Sequence, residues 1–247
     1  MGEISINPKF NIHETYKKVR ILNPYRNSGA GSTYLSSLFA DYKFNDNLVD
    51  EVNGYNGIGS NLTYTTGLSG NAANFNGSSS FIDIADADDF SYTDGTNDTP
   101  FSIGMRVKFN STTDQWVINR RDTTTNLSEY DIAYFLGLFR FRILDRFGNY
   151  IMVTIPKSII IGQWYNLIFT YDGSKTTSGM KIYIDSINQN VSPVTSGVFQ
   201  GISNTNSKTV IGKAGWFDGF YFNGAIDNLR MFNKGLTQEE VTTEYNL

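Results

Sequence analysis

Three stretches carry residue types at spacings that could do chemistry. In KAGWFDGFYFNG, Trp216, Phe217, Phe220 and Tyr221 surround Asp218, with glycines on both sides. Sugars present apolar C–H faces that stack on aromatic rings, and hydroxyls that pair with Asp, Asn and Arg. Four aromatics in a Gly-rich connection are hard to bury together, so Trp216 is the leading ligand contact, with Asp218 as polar partner and Phe217 and Tyr221 beside them. In DQWVINRRD, Trp116 with Arg120 and Arg121 makes a second ligand candidate. Core packing explains Trp116 equally well, and adjacent arginines on a strand point to opposite faces. The third stretch is Glu129-Tyr130-Asp131-Ile132-Ala133. Glycoside hydrolysis needs two carboxylates flanking the scissile bond; for Glu129 and Asp131 an exposed strand edge is the expected role.

Composition narrows the chemistry further. The one histidine of the 247 residues, His13, lies near the N-terminus, and cysteine is absent. A histidine base in the main body, a thiolate nucleophile, a disulfide and a thiolate metal site are therefore all excluded. Up to Arg26 five basic residues stand against two acidic ones, a net of about +3, which leaves about −7 on the remainder of a chain whose formal charge is −4. A mildly acidic body argues against a nucleic-acid partner, which clustered Lys and Arg would meet. No apolar run approaches the length of a membrane span, and MGEISINPKFNIHETYKK lacks the apolar middle of a signal peptide, so neither membrane insertion nor the usual secretory route is expected.

The elements that must position these residues are strands. FSIGMRVKF alternates cleanly, with Phe101, Ile103, Met105, Val107 and Phe109 inward and Arg106 and Lys108 outward. LFADYKF, AANFNGSSSFIDIAD (two strands around a tight Asn-Gly turn), WVINRR, YDIAYFLGLF, FRFRILD, YIMVTI and NLIFTYDG follow the same rhythm, separated by turn residues. Asp145 to Asn149 reads as a hairpin connection, and Thr237 with Glu240 as a capping box opening a short C-terminal helix to about Tyr245. Residues 1–37 have no sustained period and carry Pro8, Pro24 and a Gly/Ser-rich piece. They read as an irregular arm and linker, yet Phe10, Ile12, Tyr16, Val19, Ile21, Leu22 and Tyr25 make the arm more apolar than a solvated tail. Residues 38–247 form the main domain.

In that domain YKF, DEVNGYNG, GLSGNAANFNGSSSFIDIAD, FSIGMRVKF, GQWYNLIFTYDG, MKIYID and FNGAIDNLRMFNKGLTQEEV fall in an order that resembles the laminin-G-like, concanavalin A-like jelly rolls. The resemblance implies an all-β fold: an antiparallel two-sheet jelly-roll sandwich of about six or seven strands per sheet, with the irregular N-terminal arm and the short helix appended. Glycosidases of this fold carry Glu-x-Asp-x-Glu on one strand face, and the 129–133 stretch lacks the last glutamate. The family often holds one Ca2+, and Asp227 in GAIDNLRMF matches its metal aspartate by position, with Asn228 where many relatives have a second acid. Ca2+ takes six to eight oxygens; Asp46, Asp50 and carbonyls near Asn76 and Gly77 are the candidates to complete the set. Asp83, Asp86, Asp88 and Asp89 make another acidic cluster, read as a solvated loop. Gly70 and Gly77 sit where positive φ or close approach is needed. Tyr42, Phe44, Phe75 and Phe169 belong to the core, and Trp164 packs against the opposite sheet.

These readings converge on a non-catalytic carbohydrate- or surface-binding module carried on a larger assembly by residues 1–37. Its ligand would be a glycan or host cell-surface receptor, and other structural proteins would hold the arm. A bacteriophage virion fits, with the chain as decoration or receptor-binding protein at the virion surface. The alternative is a purely structural virion protein without glycan ligand; a glycoside hydrolase or a secreted adhesin domain at the cell surface ranks third. A homo-oligomer is compatible with the sequence, which has no coiled-coil heptad to specify one.

Overall fold

The computed structural model describes residues 33–121, 127–215 and 219–247. Among them, two antiparallel sheets of eight strands each pack face to face. In the first sheet the order is β13 (Ile187–Asn188), β12 (Met180–Ile184), β11 (Trp164–Tyr171), β6 (Phe101–Phe109), β16 (Asn223–Phe232), β4 (Asn71–Asn76) and β3 (Thr63–Thr66), and β1 (Leu38–Tyr42) pairs with the C-terminal half of β16. In the second it is β14 (Ser192–Ser196), β10 (Tyr150–Pro156), β9 (Leu138–Leu144), β8 (Ser128–Phe135), β7 (Gln115–Arg121), β15 (Thr209–Ile211), β5 (Phe81–Ile84) and β2 (Gly57–Ser60). Each sheet exceeds the six or seven strands expected.

Period-2 alternation builds the core. Ile103, Met105, Val107 and Phe109 of β6 face Tyr130, Ile132 and Tyr134 of β8 and Phe139, Phe141 and Ile143 of β9. Phe101 stacks on Tyr92 at 3.8 Å and meets Phe141 edge-on at 5.8 Å. Each such ring stabilises the fold by roughly 1.5–3 kcal/mol through burial. Tyr42, Phe44, Phe75 and Phe169 belong to this core as expected. Trp164 does not: it opens β11 on the outer face, half-buried, with the Lys108 ammonium 5.0 Å from its ring centre.

β1 departs from alternation, all five residues being buried. The outer face of the first sheet is covered by its own second cluster, in which Tyr34 and Leu35 pack with Ile168, Tyr183, Phe232, Leu236 and Val241. Tyr34 and Leu35 lie on a 3-10 helix (Thr33–Ser37) that the sequence assigned to a linker, and Val241 on helix α1 (Gln238–Tyr245). The capping box is present: Thr237 accepts from the Glu240 amide, and the Glu240 side chain from the Thr237 amide. An ion network fixes the helix to the sheet. Arg230 meets Glu244 at 2.8 Å and Asp41 at 3.3 Å, Lys43 meets Asp41 at 2.9 Å, and the Tyr34 hydroxyl donates to Glu244 at 3.1 Å.

The Asn76–Gly77 turn joins β4 to β5 but makes no hairpin, because β4 belongs to the first sheet and β5 to the second. The Asn76 side-chain carbonyl accepts from the amides of Ser78, Ser79 and Ser80, which turns the chain across the sandwich instead of back along one sheet. Gly77 has φ +75°, and a Cβ there would come within 2.8 Å of Asn223. Asp145 to Asn149, in contrast, closes the β9–β10 hairpin as read.

Candidate functional site

The outer face of the second sheet gathers the chemistry. Cross-strand register aligns Asn119 of β7, Asp131 of β8, Arg142 of β9 and Met152 of β10 in one rung, and Trp116, Ala133, Arg140 and Thr154 in the next. Asp131 is 1% exposed and accepts from Arg142 Nε at 2.8 Å and from Arg140 Nη2 at 3.1 Å. The Arg140 guanidinium also lies 4.8 Å from the Trp116 ring centre and 5.1 Å from that of Phe135, and Arg142 lies 5.5 Å from Tyr150. Burial and the neighbouring Arg142 hold the Arg121 guanidinium below its ordinary pKa, with Asp131 pulling the other way. Three guanidiniums therefore gather around one carboxylate beside an aromatic wall.

The Gly-rich loop after β15 reaches this same face. Asn119 Nδ2 donates to the Lys213 carbonyl at 2.5 Å, and its Oδ1 accepts from the Gly215 amide at 3.1 Å. Phe220 packs on Trp116 with ring centres 4.9 Å apart, and Lys213 lies over Phe81 and Tyr221. The stretches around Trp116 and around Trp216, separate in sequence, thus meet over β7. Trp216, Phe217 and Asp218 themselves lie outside the described residues. Tyr221 is half-buried beneath Lys213, and Trp116 is 3% exposed, a wall rather than an open stacking surface.

Arg120 is not a ligand contact. A register shift between Arg120 and Arg121 leaves Glu129 outside the β7–β8 pairing, and both side chains are fully buried. Arg120 Nε lies 3.0 Å from Glu129 Oε2 and its Nη2 lies 2.5 Å from Asp86. Glu129 also accepts from the Thr205 amide at 2.9 Å, the Thr205 hydroxyl at 2.6 Å and Ser91 at 3.1 Å. Burial pushes the Glu129 carboxyl up, opposed by Arg120 and these donors. The bulge also separates the two carboxylates of the 129–133 stretch: Asp131 faces outward between arginines, whereas Glu129 is locked with Arg120, neither being the exposed edge expected.

The three acids named for a metal do not form one set. Asp50 accepts the amides of Asp41, Val52, Asn53 and Tyr55, which commits it to shaping its own loop. Asp46 holds the Asn71 amide group. Asp227 Oδ2 accepts from the Leu68 and Ser69 amides at 2.9 and 3.3 Å, while its Oδ1 is buried without a hydrogen-bond partner among the described residues, and burial raises its pKa. One orphaned carboxylate oxygen suits a cation, yet no three acidic or imidazole side chains converge among the described residues. The cluster from Asp83 to Asp89 is exposed at Asp86, Asp88 and Asp89, as a solvated loop requires, and its carboxylates also find partners there: Asp83 with Lys208, Asp86 with Arg120, Asp88 with Asn204 and Asp89 with the Tyr55 hydroxyl.

Arg140, Arg142, Phe135 and Tyr150 escaped the sequence reading. The signal was present in FRFRILD, where arginines two apart on a strand must share a face. Among the described residues no helix is long and apolar enough to cross a membrane.

Comparison with known proteins follows the fold. The structure is similar to the binding domain of Paraclostridial Mosquitocidal Protein 1 (TM-score 0.65, 18% identity, 85% of this chain and 52% of that one) and to the receptor binding domain of botulinum neurotoxin C/D mosaic serotype (TM-score 0.64, 17% identity, 85% and 51%). The chain thus spans about half the length of these toxin domains. It is also similar to domain 4 of AbnA, a GH43 extracellular arabinanase from Geobacillus stearothermophilus, solved in complex with arabinotriose (TM-score 0.57, 23% identity, 84% and 97%). No curated protein sequence matches the chain. A family model described as the concanavalin A-like lectin/glucanases superfamily matches residues 76–242, more than half of the chain, and the chain belongs to that superfamily.

Proposed function

We propose that the chain is a non-catalytic module that binds a glycan or a glycan-bearing cell-surface receptor through the outer face of its second sheet. The observation that carries this reading is the convergence of the Gly-rich aromatic loop with the Arg140–Asp131–Arg142 cluster over Trp116. Planar guanidiniums pair bidentately with ligand oxygens, and rings accept sugar C–H faces. The arabinotriose in a structural neighbour and the receptor-binding role of others support the class of ligand. Hydrolysis is not part of the proposal, because Ala133 stands where a paired carboxylate would be needed and Glu129 is held by Arg120.

The setting we propose is a surface-exposed assembly, with a bacteriophage virion as the leading case and residues 1–37 as the attachment. The apolar and basic character of those residues is what supports it. A structural Ca2+ held by Asp227 is likewise a proposal, supported by the orphaned Oδ1. Chelator-treated protein should gain thermal stability on adding Ca2+ and not Mg2+, and Asp227→Asn should remove that gain; an unchanged Tm would end the idea.

A glycan array probed with the full chain tests the main reading. Signal on at least one glycan family is expected, reduced at least tenfold by Arg140→Ala and by Trp216→Ala. A silent array would favour a purely structural role, and binding that survives both substitutions would overturn the assignment of the site to this face. Release of reducing sugar from a polysaccharide, abolished by Asp131→Asn, would overturn the non-catalytic reading.

A further inference from the structure

The outer face of the first sheet, on the other side of the sandwich, holds a cavity of about 370 Å3. Its floor follows from register. Arg230 of β16, Gly104 of β6 and Ile168 of β11 form one rung, and Asp227, Arg106 and Asn166 the next. Gly104 contributes no side chain, so the surface drops between Arg106, Asn166, Arg230 and Ile168. A Cβ built on Gly104 would touch only Ile168, at 3.4 Å, so the space above it is open. A glycine inside a strand marks a place where another group approaches closely. The β1–β2 connection supplies one wall, through Lys43, and α1 another, through Glu244.

The charges in this cavity are unequally satisfied. Lys43 is paired with Asp41, and Arg230 with Asp41 and Glu244. Among the described residues Arg106 has no hydrogen-bond or ion-pair partner; its rung neighbour Asp227 spends one oxygen on the Leu68 and Ser69 amides and lies within electrostatic range. Asn166, on the other side of Arg106, has a buried Oδ1 that accepts no hydrogen bond from the described residues. Asn228, at the bulge in β16 with φ +50°, adds an amide to the lining. A free guanidinium fork flanked by two carboxamides suits a ligand that combines a carboxylate with adjacent hydroxyls.

We infer that this cavity is a second binding site, distinct from the face proposed above, for a terminal acidic sugar whose carboxylate is received by Arg106 and whose hydroxyls pair with Asn166 and Asn228. Its volume suits one or two sugar residues, at the lower end for small-molecule sites. Binding through Arg106 needs no aromatic stacking, which separates it chemically from the Trp116 face.

Calorimetric titration of the full chain with glucuronic acid, galacturonic acid, N-acetylneuraminic acid, galactose and inorganic phosphate tests the inference. At least one sugar acid should bind while galactose does not. Gly104→Val fills the cavity and should abolish that binding without lowering the Tm. Arg106→Gln should weaken it at least tenfold, and keeps the test decisive if Gly104→Val fails to fold. Arg140→Ala, on the opposite sheet, should leave it unchanged, so failure of the first proposal and failure of this one are read separately. No binding by any sugar acid, or binding that survives Arg106→Gln, would overturn the inference, as would phosphate matching the best sugar acid, which would indicate a bare anion site.

Discussion

Arg120 and Arg140 both bring a guanidinium to the second sheet, but to opposite sides of it, and stability measurements should tell them apart. Arg120 is fully buried against Glu129, so Arg120→Ala leaves a carboxylate with its main counter-charge gone. Breaking such a pair costs about 3–5 kcal/mol. Urea unfolding should show a loss of that order, whereas Arg140→Ala, a change at a partly exposed side chain whose Asp131 partner keeps Arg142, should cost far less. Equal losses would mean that the Arg120–Glu129 pair has been misjudged. The sequence announced that Arg120 and Arg121 point to opposite faces. It did not announce which face, because that depends on bulges at Trp116–Ile118 and Arg120–Arg121 that no local propensity encodes. Arg140 and Arg142 were legible as a same-face pair, but their partner Asp131 was not, since cross-strand register is a property of two strands.

At the scale of elements, the strands and the terminal helix were readable because each follows from local pattern. The alternation of Phe101 to Phe109 and the Thr237–Glu240 capping box both stand where the sequence put them. Thr237→Ala should cost about 1 kcal/mol by removing an amide acceptor at the helix start, measured as a shift in the urea midpoint. The connection from β4 to β5 was misread for a physical reason: an Asn-Gly pair specifies a turn, while the sheet that receives the next strand is decided by burial on both sides of it. The Asn119 side chain binds the loop after β15 at two points, alongside the backbone bonds of Gly212, Ala214 and Phe222. Asn119→Ala should therefore raise hydrogen exchange at the Gly215 amide by at least tenfold and weaken glycan binding with it. Unchanged protection at Gly215 would mean that the loop is held elsewhere.

For the whole molecule, buried carboxyls set an unusual pH response. Burial raises the pKa of Asp98 against Tyr171 and Ile202, of Glu129 against Arg120 and Thr205, and of Glu244 against Arg230 and Tyr34. A carboxyl whose folded value exceeds its unfolded value near 4 contributes stability that is complete below about pH 4 and is lost as pH rises through the folded value. Asp94 works in the other direction, its carboxyl held low by the Asn97 and Thr96 amides. So does Glu240, where the hydrogen bonds from Lys234 and Thr237 outweigh partial burial. Both are more exposed and count for less. Thermal unfolding should accordingly show the Tm rising as the pH is lowered from neutral toward the unfolded carboxyl value near 4. A Tm falling steadily over that range would show that the ion pairs outweigh the cost of burying their charges.

The Tyr34–Glu244 hydrogen bond places the start of the described chain and its terminal helix side by side over the first sheet. Attachment at Tyr34 or at the terminal helix therefore turns that sheet toward the support and displays the Arg140–Trp116 face to the medium. A printed or tethered sample would report mainly the displayed face, while the Gly104 cavity, shadowed by the support, would be measured faithfully only with the protein free in solution.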